Sequence, residues 1–190
     1  FDLVHDHFKT PHTSGHGQPW TDQEQTQVLG LSPRIKEMAQ RHSLHYHIKP
    51  TNYDRPDHIV IGLHIEDAIY GPLYFGYGGE GRYGDRHNES RRVEEAILSL
   101  GPDTVLVLIK ADADVIQRRM RENPHPNATL REPDVDLVLR RFQEEFDRSS
   151  FSSKMTIDTS RASVEESLAE FVERVQPMLS EEDRKRLRAA

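Results

Sequence analysis

The sequence contains no cysteine. Disulfides and thiolate metal sites are therefore excluded, and the absence is compatible with a reducing compartment such as the cytoplasm. No apolar run reaches the roughly 18 residues a spanning helix needs, so no membrane partner is expected. No signal-peptide pattern stands at the start. Basic residues are in the minority: Lys and Arg number 25 against 32 Asp and Glu, a net charge of −7 with His neutral. That balance does not provide the broad basic face that gripping a nucleic-acid backbone requires, so strong nucleic-acid binding is not expected. A small phosphorylated ligand remains compatible, because the arginines are clustered locally. No HExxH occurs, and the histidine spacings fit no common zinc pattern. The "HDHF" segment with His12 and His16 reads as loop or surface histidines more readily than as a metal site. No "GxxxxGK[ST]" occurs, and neither does an internal repeat or a low-complexity tract.

What is present suits one domain with a proper core: 190 residues, 35% hydrophobic and 30% charged. The expected unit spans 1–179, followed by a polar tail over 180–190. The chain opens at Phe1 inside an expected strand, "DLVHDHF", which reads as a processed or truncated start. Thr21 with Glu24 three residues on predicts a capping box and a helix. That helix is expected to break near Gly30 to Pro33 and resume as "RIKEMAQRHS". The segment "LHYHIKPTNYDRP" reads as irregular. "HIVIGL" is expected to be a strand buried on both faces, because its apolar run does not alternate. A helix is expected over Ile65 to Phe75, then a loop, "GYGGEGRYGDRHN". A further helix, 88–100, should close at Gly101.

"DTVLVLIKA" predicts the central strand of a sheet. Helices follow from Asp112 to Arg121 and after a capping Asp134, with Val135, Val138, Leu139, Phe142 and Phe146 as the apolar stripe of the second. "KMTIDTS" reads as a strand, and Ser163 with Glu166 as a second capping box opening a helix to Met178. Strands alternating with helices predict an α/β fold: a parallel sheet with helices on both faces. In such sheets ligands sit at the carboxyl ends of the strands. The polar clusters fall there: His5-Asp6-His7, His64-Glu66-Asp67, Lys110 with Asp112, and Asp158-Thr159-Ser160.

Arg118, Arg119 and Arg121 end one helix, and Arg131 stands across a proline-rich loop. Guanidinium forks match phosphate oxygens bidentately, and a loop of arginines suits phosphoryl transfer, where charge builds on the moving group. The bland alternative is a solvated helix end favoured by the helix dipole. Asp6, at a strand end, can act as a base or hold Mg²⁺ through water, or it is a turn residue. The glycine-rich loop lacks the Gly-Lys-Ser/Thr of a phosphate cradle, but Arg82 and Arg86 within reach of it can meet a ligand. Tyr70 and Tyr74, four apart, line a pocket or pack a helix.

Taken together, these segments resemble the thymidylate kinase and deoxynucleoside kinase branch of the P-loop kinases. "TVLVLIKADADVIQRRM" is similar to the strand and helix before that family's lid. "LVLRRFQEEFDRSSFSSKMTIDTSRASVEESLAEF" resembles its "F-x-x-x-Y, I-D-T-S, E-E" region. "HIEDAIYGPLYFG" resembles the segment after its third strand, commonly "DR-x-H-x-S-E-x-x-Y-G". The resemblance implies a P-loop kinase-like fold with an arginine-bearing lid over about 118–134. It implies ATP and Mg²⁺ as cofactors and a nucleoside or nucleoside monophosphate as phosphate acceptor. Arg118, Arg119 and Arg121 would embrace the ATP phosphates. Arg119 and Arg131, with the turn Thr159, Ser160, Arg161 and Ala162, would hold the nucleotide. Asp6 would orient or deprotonate the acceptor and serve as the Mg²⁺ ligand. His7, Lys9, His64, Glu66, Tyr70, Tyr74 and Arg82 would bind the acceptor. A homodimer is left open.

The chain departs from the family in two places. The Gly-Lys-Ser/Thr loop would lie on a first strand before Phe1, and without that strand the sheet would have a gap at its centre. Ile61-Gly62 stands where the family has Asp-Arg, and Glu66 or Asp67 would have to substitute. The second function these departures allow is a catalytically impaired binding or scaffold module of the same fold, in a larger assembly. A phosphotransferase acting on another acceptor is a third.

Overall fold

The computed structural model describes residues 2–5, 21–50, 58–124 and 128–189. Element order is β1 (Asp2–His5), α1 (Asp22–Gly30), α2 (Pro33–His47), β2 (His58–Ile61) and α3 (Leu63–Tyr70), the last extended by a π-helical turn (Gly71–Phe75). Then come α4 (Arg86–Leu100), β3 (Val105–Lys110), α5 (Ala113–Glu122), a 3₁₀ turn (Glu132–Asp134), α6 (Val135–Arg148) and β4 (Ser153–Asp158). The described chain finishes with α7 (Val164–Val175), a 3₁₀ turn (Gln176–Met178) and α8 (Glu181–Ala189).

The local signals act where the sequence places them. Thr21 accepts from the Glu24 N–H and the Glu24 carboxylate accepts from the Thr21 N–H, so α1 opens on a reciprocal cap. Ser163 and Glu166 do the same for α7. Asp134 behaves differently: its side chain makes no cap bond and instead accepts from the Tyr74 hydroxyl at 2.8 Å. Helix α2 continues through "LHYH", against the irregular segment expected there, because Leu44 faces inward and is buried. Pro72 falls after α3; without an N–H it cannot continue the i→i−4 ladder, and the chain widens into a π turn. The Tyr77 N–H then reaches back to the Gly71 carbonyl at 3.3 Å. Gly101 closes α4 as expected, at φ −135° and with its N–H donating to the Ile97 carbonyl at 2.7 Å.

The alternation of strands and helices and the parallel pairing are as expected. A single sheet is not what the described residues form. They make two parallel pairs, β1 with β2 (Val4 opposite Val60) and β3 with β4 (Leu108 opposite Thr156). Among the described residues, neither "HIVIGL" nor "DTVLVLIKA" is consequently flanked on both sides. Ile59, Val60 and Ile61 are each more than 40% exposed, and Ile109 is 69% exposed. An edge strand cannot shield its side chains with a neighbour, which is why these two runs are apolar yet half bare.

Helix α4 carries one side of a core cluster. Its Val93 and Ile97 are buried with Ile48 and Phe151, and Leu63, just beyond β2, and Leu106, on β3, pack on that same cluster. Removing one such buried aliphatic side chain from water is worth about 1.5–3 kcal/mol. A second cluster joins α3, the π turn and α6 through Ile69, Tyr70, Phe75, Tyr77 and Val138.

Between α2, α3 and α4 sits a buried ionic knot. Arg86 Nη1 donates to Glu37 Oε1 at 3.0 Å, and its Nη2 to the Glu37 carbonyl at 3.3 Å. Arg86 Nε lies 2.7 Å from Asp67 Oδ2, though its N–H is not aimed at that oxygen, so the contact is ionic in character. The Tyr77 hydroxyl donates to Asp67 Oδ1 at 2.8 Å, and the guanidinium lies over the Tyr77 ring at 4.9 Å. Gly78, with φ +74°, makes room for it: a Cβ there would sit 2.4 Å from Arg86 Cγ.

Candidate functional site

The carboxyl ends of β3 and β4 are tied into one platform. The Thr159 N–H donates to the Lys110 carbonyl at 2.8 Å, and the Thr159 hydroxyl does so at 3.1 Å. Ser160 takes a bond from the Asp112 N–H at 2.9 Å and gives its own hydroxyl proton to Asp158 Oδ1 at 2.6 Å. The Ser160 hydroxyl and N–H hold the Asp158 carboxyl below its ordinary range. Asp158 thus stays ionised beside Lys110 and Arg161.

Arg119 joins this platform from α5. One guanidinium nitrogen donates to the Thr159 hydroxyl at 3.0 Å and the other to the Thr159 carbonyl at 2.6 Å. Helical spacing puts Arg119 next to Ile116, Met120 and Asn123, and the four side chains line an open depression of ≈ 480 Å³. The helix arginine and the "DTSRA" turn, 40 residues apart, therefore share one site. Ser160, Arg161 and Ala162 complete that turn, with Arg161 exposed.

The other arginines expected in the lid are exposed as well. Arg118 faces solvent. Arg121 is ion-paired with Glu132 across the proline-rich loop. Arg131 lies over the Tyr74 ring at 4.7 Å, and its backbone N–H donates to the Tyr74 hydroxyl at 3.3 Å. Tyr74 in turn stacks on Tyr70, with ring centroids 5.8 Å apart. The tyrosine pair expected to line a wall is therefore joined to the loop that carries Arg131. Burial pushes the Tyr70 phenol well above its usual range, and Tyr74 moves the same way, from burial and then from its bond to Asp134.

The turn after β2 has a specific cause. Gly62 adopts φ +77°, and a Cβ there would lie 2.3 Å from Glu66 Cδ. The Glu66 carboxylate folds back over the strand end, and burial raises its pKa. Of the two carboxylates weighed as substitutes for the missing Asp-Arg, Glu66 stands at the strand end. Asp67 is committed to Arg86.

His64 is buried, with Nε2 3.1 Å from Glu94 Oε1. Glu94 also accepts from the Ser150 N–H at 2.7 Å, and although burial works against it, these bonds hold its carboxyl low. His64 is thereby fixed between α3, α4 and the entry to β4. Arg82 is exposed in the glycine-rich loop, whereas Arg86 is only 1% exposed and turned inward. Asp6, His7 and Lys9, with His12 and His16, lie outside the described residues. Among the described residues no group of three or more acidic or histidine side chains gathers as a metal site.

The Glu37–Arg86–Asp67–Tyr77 knot has no signature in the sequence. Glu37 and Arg86 stand 49 positions apart, and nothing in the spacing of the four links them. No family model, curated protein or solved structure matches this chain. No helix among the described residues is long and apolar enough to cross a membrane.

Proposed function

We propose that the protein transfers a phosphoryl group from ATP to a nucleoside or nucleoside monophosphate. The observation that carries this reading is the clasp between Arg119 and Thr159, which joins an arginine-bearing helix to the turn at the end of a parallel strand. Such a position, at strand carboxyl ends and beside an open depression, suits a nucleotide whose base or phosphates meet planar cations. Arg118, Arg121 and Arg131 supply positive charge that a phosphoryl group in transfer needs as its charge builds. Arg121 would have to exchange Glu132 for phosphate. Glu66 lies where an acceptor or a phosphate-bound Mg²⁺ would approach β2. Tyr74, partly exposed beside Arg131, would be the aromatic contact for an acceptor base, with the buried Tyr70 supporting it from the core.

The test is direct. The natural polypeptide, supplied with Mg²⁺ and ATP labelled at the γ-phosphate, should label at least one nucleoside or nucleoside monophosphate. A complete panel of these acceptors left unlabelled would overturn the reading.

One observation favours a second reading, a binding module with impaired chemistry. The Asp-Arg expected after β2 is replaced by a turn that only glycine fits, with Glu66 filling the space. Calorimetry separates the two: ATP binding without turnover supports the module.

A further inference from the structure

Two exposed helix faces of this fold match each other. The first is on α7. One side of that helix packs on β4. Another carries Val164, Leu168 and Val172 at four-residue spacing, exposed by 80%, 59% and 47%. Leu168, Ala169 and Val172 line an open depression of ≈ 490 Å³, and Glu165 and Glu173 border it. The second face is on α2 and the residue before it. Leu31, Ile35 and Met38 are exposed, Met38 by 55%, and the exposed His42 follows one turn on. Arg34 and Arg41 border this stripe, while Glu37 and Leu44 of the same helix are buried on its inner side.

Contiguous apolar stripes of this kind mark contact surfaces. Their borders are opposite in charge. On a chain of net charge −7 the basic border of α2 stands out, and the acidic border of α7 is its complement. The spacing agrees: at about 1.5 Å per residue, Glu165 and Glu173 lie ~12 Å apart along α7, and Arg34 and Arg41 ~10.5 Å apart along α2. The hand agrees as well. Seen from each N-terminus at about 100° per residue, the arginines fall to one side of the α2 stripe and the glutamates to the other side of the α7 stripe. Borders of opposite hand meet when two facing helices run in the same direction, as in a parallel coiled coil.

We propose that α7 of one copy docks on α2 of a second copy. The two helices run parallel, with Leu168 over the Ile35–Met38 stripe, Glu165 beside Arg34 and Glu173 beside Arg41. Arg41 gives its Nε–H to Glu37 at 3.1 Å and has two further nitrogens to offer. Either face against itself leaves the charged borders without opposite partners, since Arg174 on α7 is held by Glu170 and the Thr156 carbonyl. Each copy carries both faces, so the contact passes from copy to copy until it closes. This inference rests on the two surfaces alone and does not depend on phosphoryl transfer.

The test is sedimentation velocity on the natural polypeptide over a concentration series. The parent should associate, and a monomer at every concentration overturns the proposal. Met38→Glu and Leu168→Glu, both at exposed positions outside the cores, should each be monomeric alone. Mixed, they should form a one-to-one pair that grows no further, because one chain keeps its α7 face and the other its α2 face. A mixture that stays monomeric overturns the proposal. So does either variant associating alone as tightly as the parent, which would show a face pairing with itself. Arg34→Glu and Glu165→Arg read the borders: each should weaken association several-fold, and the two combined in one chain should restore most of it. Additive losses overturn the parallel pairing. Thermal melts matching the parent confirm that each variant is folded.

Discussion

Arg86 Nε lies 2.7 Å from Asp67 Oδ2 with both side chains 1% exposed. Glu37, which also pairs with Arg41 at 3.1 Å, and Tyr77 complete the enclosure, so Arg86 is the buried cation shared by two carboxylates. The isolated pair is weak evidence for net stability, because desolvating both charges is costly. Breaking it is another matter. Arg86→Met should lower the free energy of unfolding by about 3–5 kcal/mol, since Asp67 would be left buried without a cation and Glu37 would keep only the partly exposed Arg41. Urea denaturation followed by circular dichroism measures this, and a loss below about 1 kcal/mol would show that the knot is not structural.

Asp67 gives the knot a pH dependence of known sign. Burial raises its pKa to about 6 from 3.8, more than the nearby Arg86 and the Tyr77 bond lower it. A carboxyl whose folded pKa is raised contributes stability that is full below its unfolded pKa and is lost as pH rises through the folded value. Asp67 should therefore make the fold progressively less stable between about pH 4 and pH 6. Asp67→Asn removes this titration, so the difference in unfolding free energy between variant and parent should change with pH over that window and level off above it. A constant difference from about pH 4 to pH 7 would contradict the assignment.

Gly62→Ala should destabilise by about 1–3 kcal/mol. The left-handed backbone accounts for part, and the remainder comes from displacing the Glu66 carboxylate that occupies the Cβ position. Gly30→Ala is the control, because nothing lies within 4 Å of its Cβ and its φ is ordinary. Thermal melts of the two variants should separate clearly; equal melting temperatures would remove the claim that this turn is specific.

If the clasp at Thr159 forms the nucleotide site, Arg119→Ala should weaken ATP binding about tenfold or more, the scale of a lost bond to a charged group. Arg119→Lys should rescue little, because one ammonium cannot hold both Thr159 oxygens and present a flat face. Calorimetry on the natural polypeptide reads both. Unchanged affinity in Arg119→Ala would separate the clasp from nucleotide binding.

Ser163→Ala should cost about 1 kcal/mol by removing the acceptor of the Glu166 N–H at the start of α7. Ser163→Asp should restore most of it. Denaturation midpoints provide the measurement.

Local features of the fold are readable from the sequence because they depend on neighbours in the chain. Both capping boxes, the four strands and the apolar stripe through Val135 and Val138 are of this kind. Whether a strand is central depends on what sits beside it. The run "VLVLI" in β3 has the composition of a central strand, and its open edge shows only in the register with β4. The site divides in the same way. Arg119 and the "DTSRA" turn stand out as candidates separately, while their hydrogen bonds are a property of the folded chain. Arg86 shows the opposite limit: an arginine in a glycine-rich loop looks available to a ligand, and only the distant Glu37 and Asp67 reveal that it is buried.

The β3–β4 pair has edges of opposite character. Alternation along the strands turns the peptide groups of Val105, Val107 and Ile109 away from β4. By the same alternation the Thr156 carbonyl points away from β3, and Arg174 from α7 donates to it at 2.6 Å. A charged side chain thus seals the outer border of β4, where an intruding strand would have to displace a guanidinium. Growth of this sheet is one-sided. Any aggregate, chimera or engineered fusion that adds a strand to the described pair will meet it along β3.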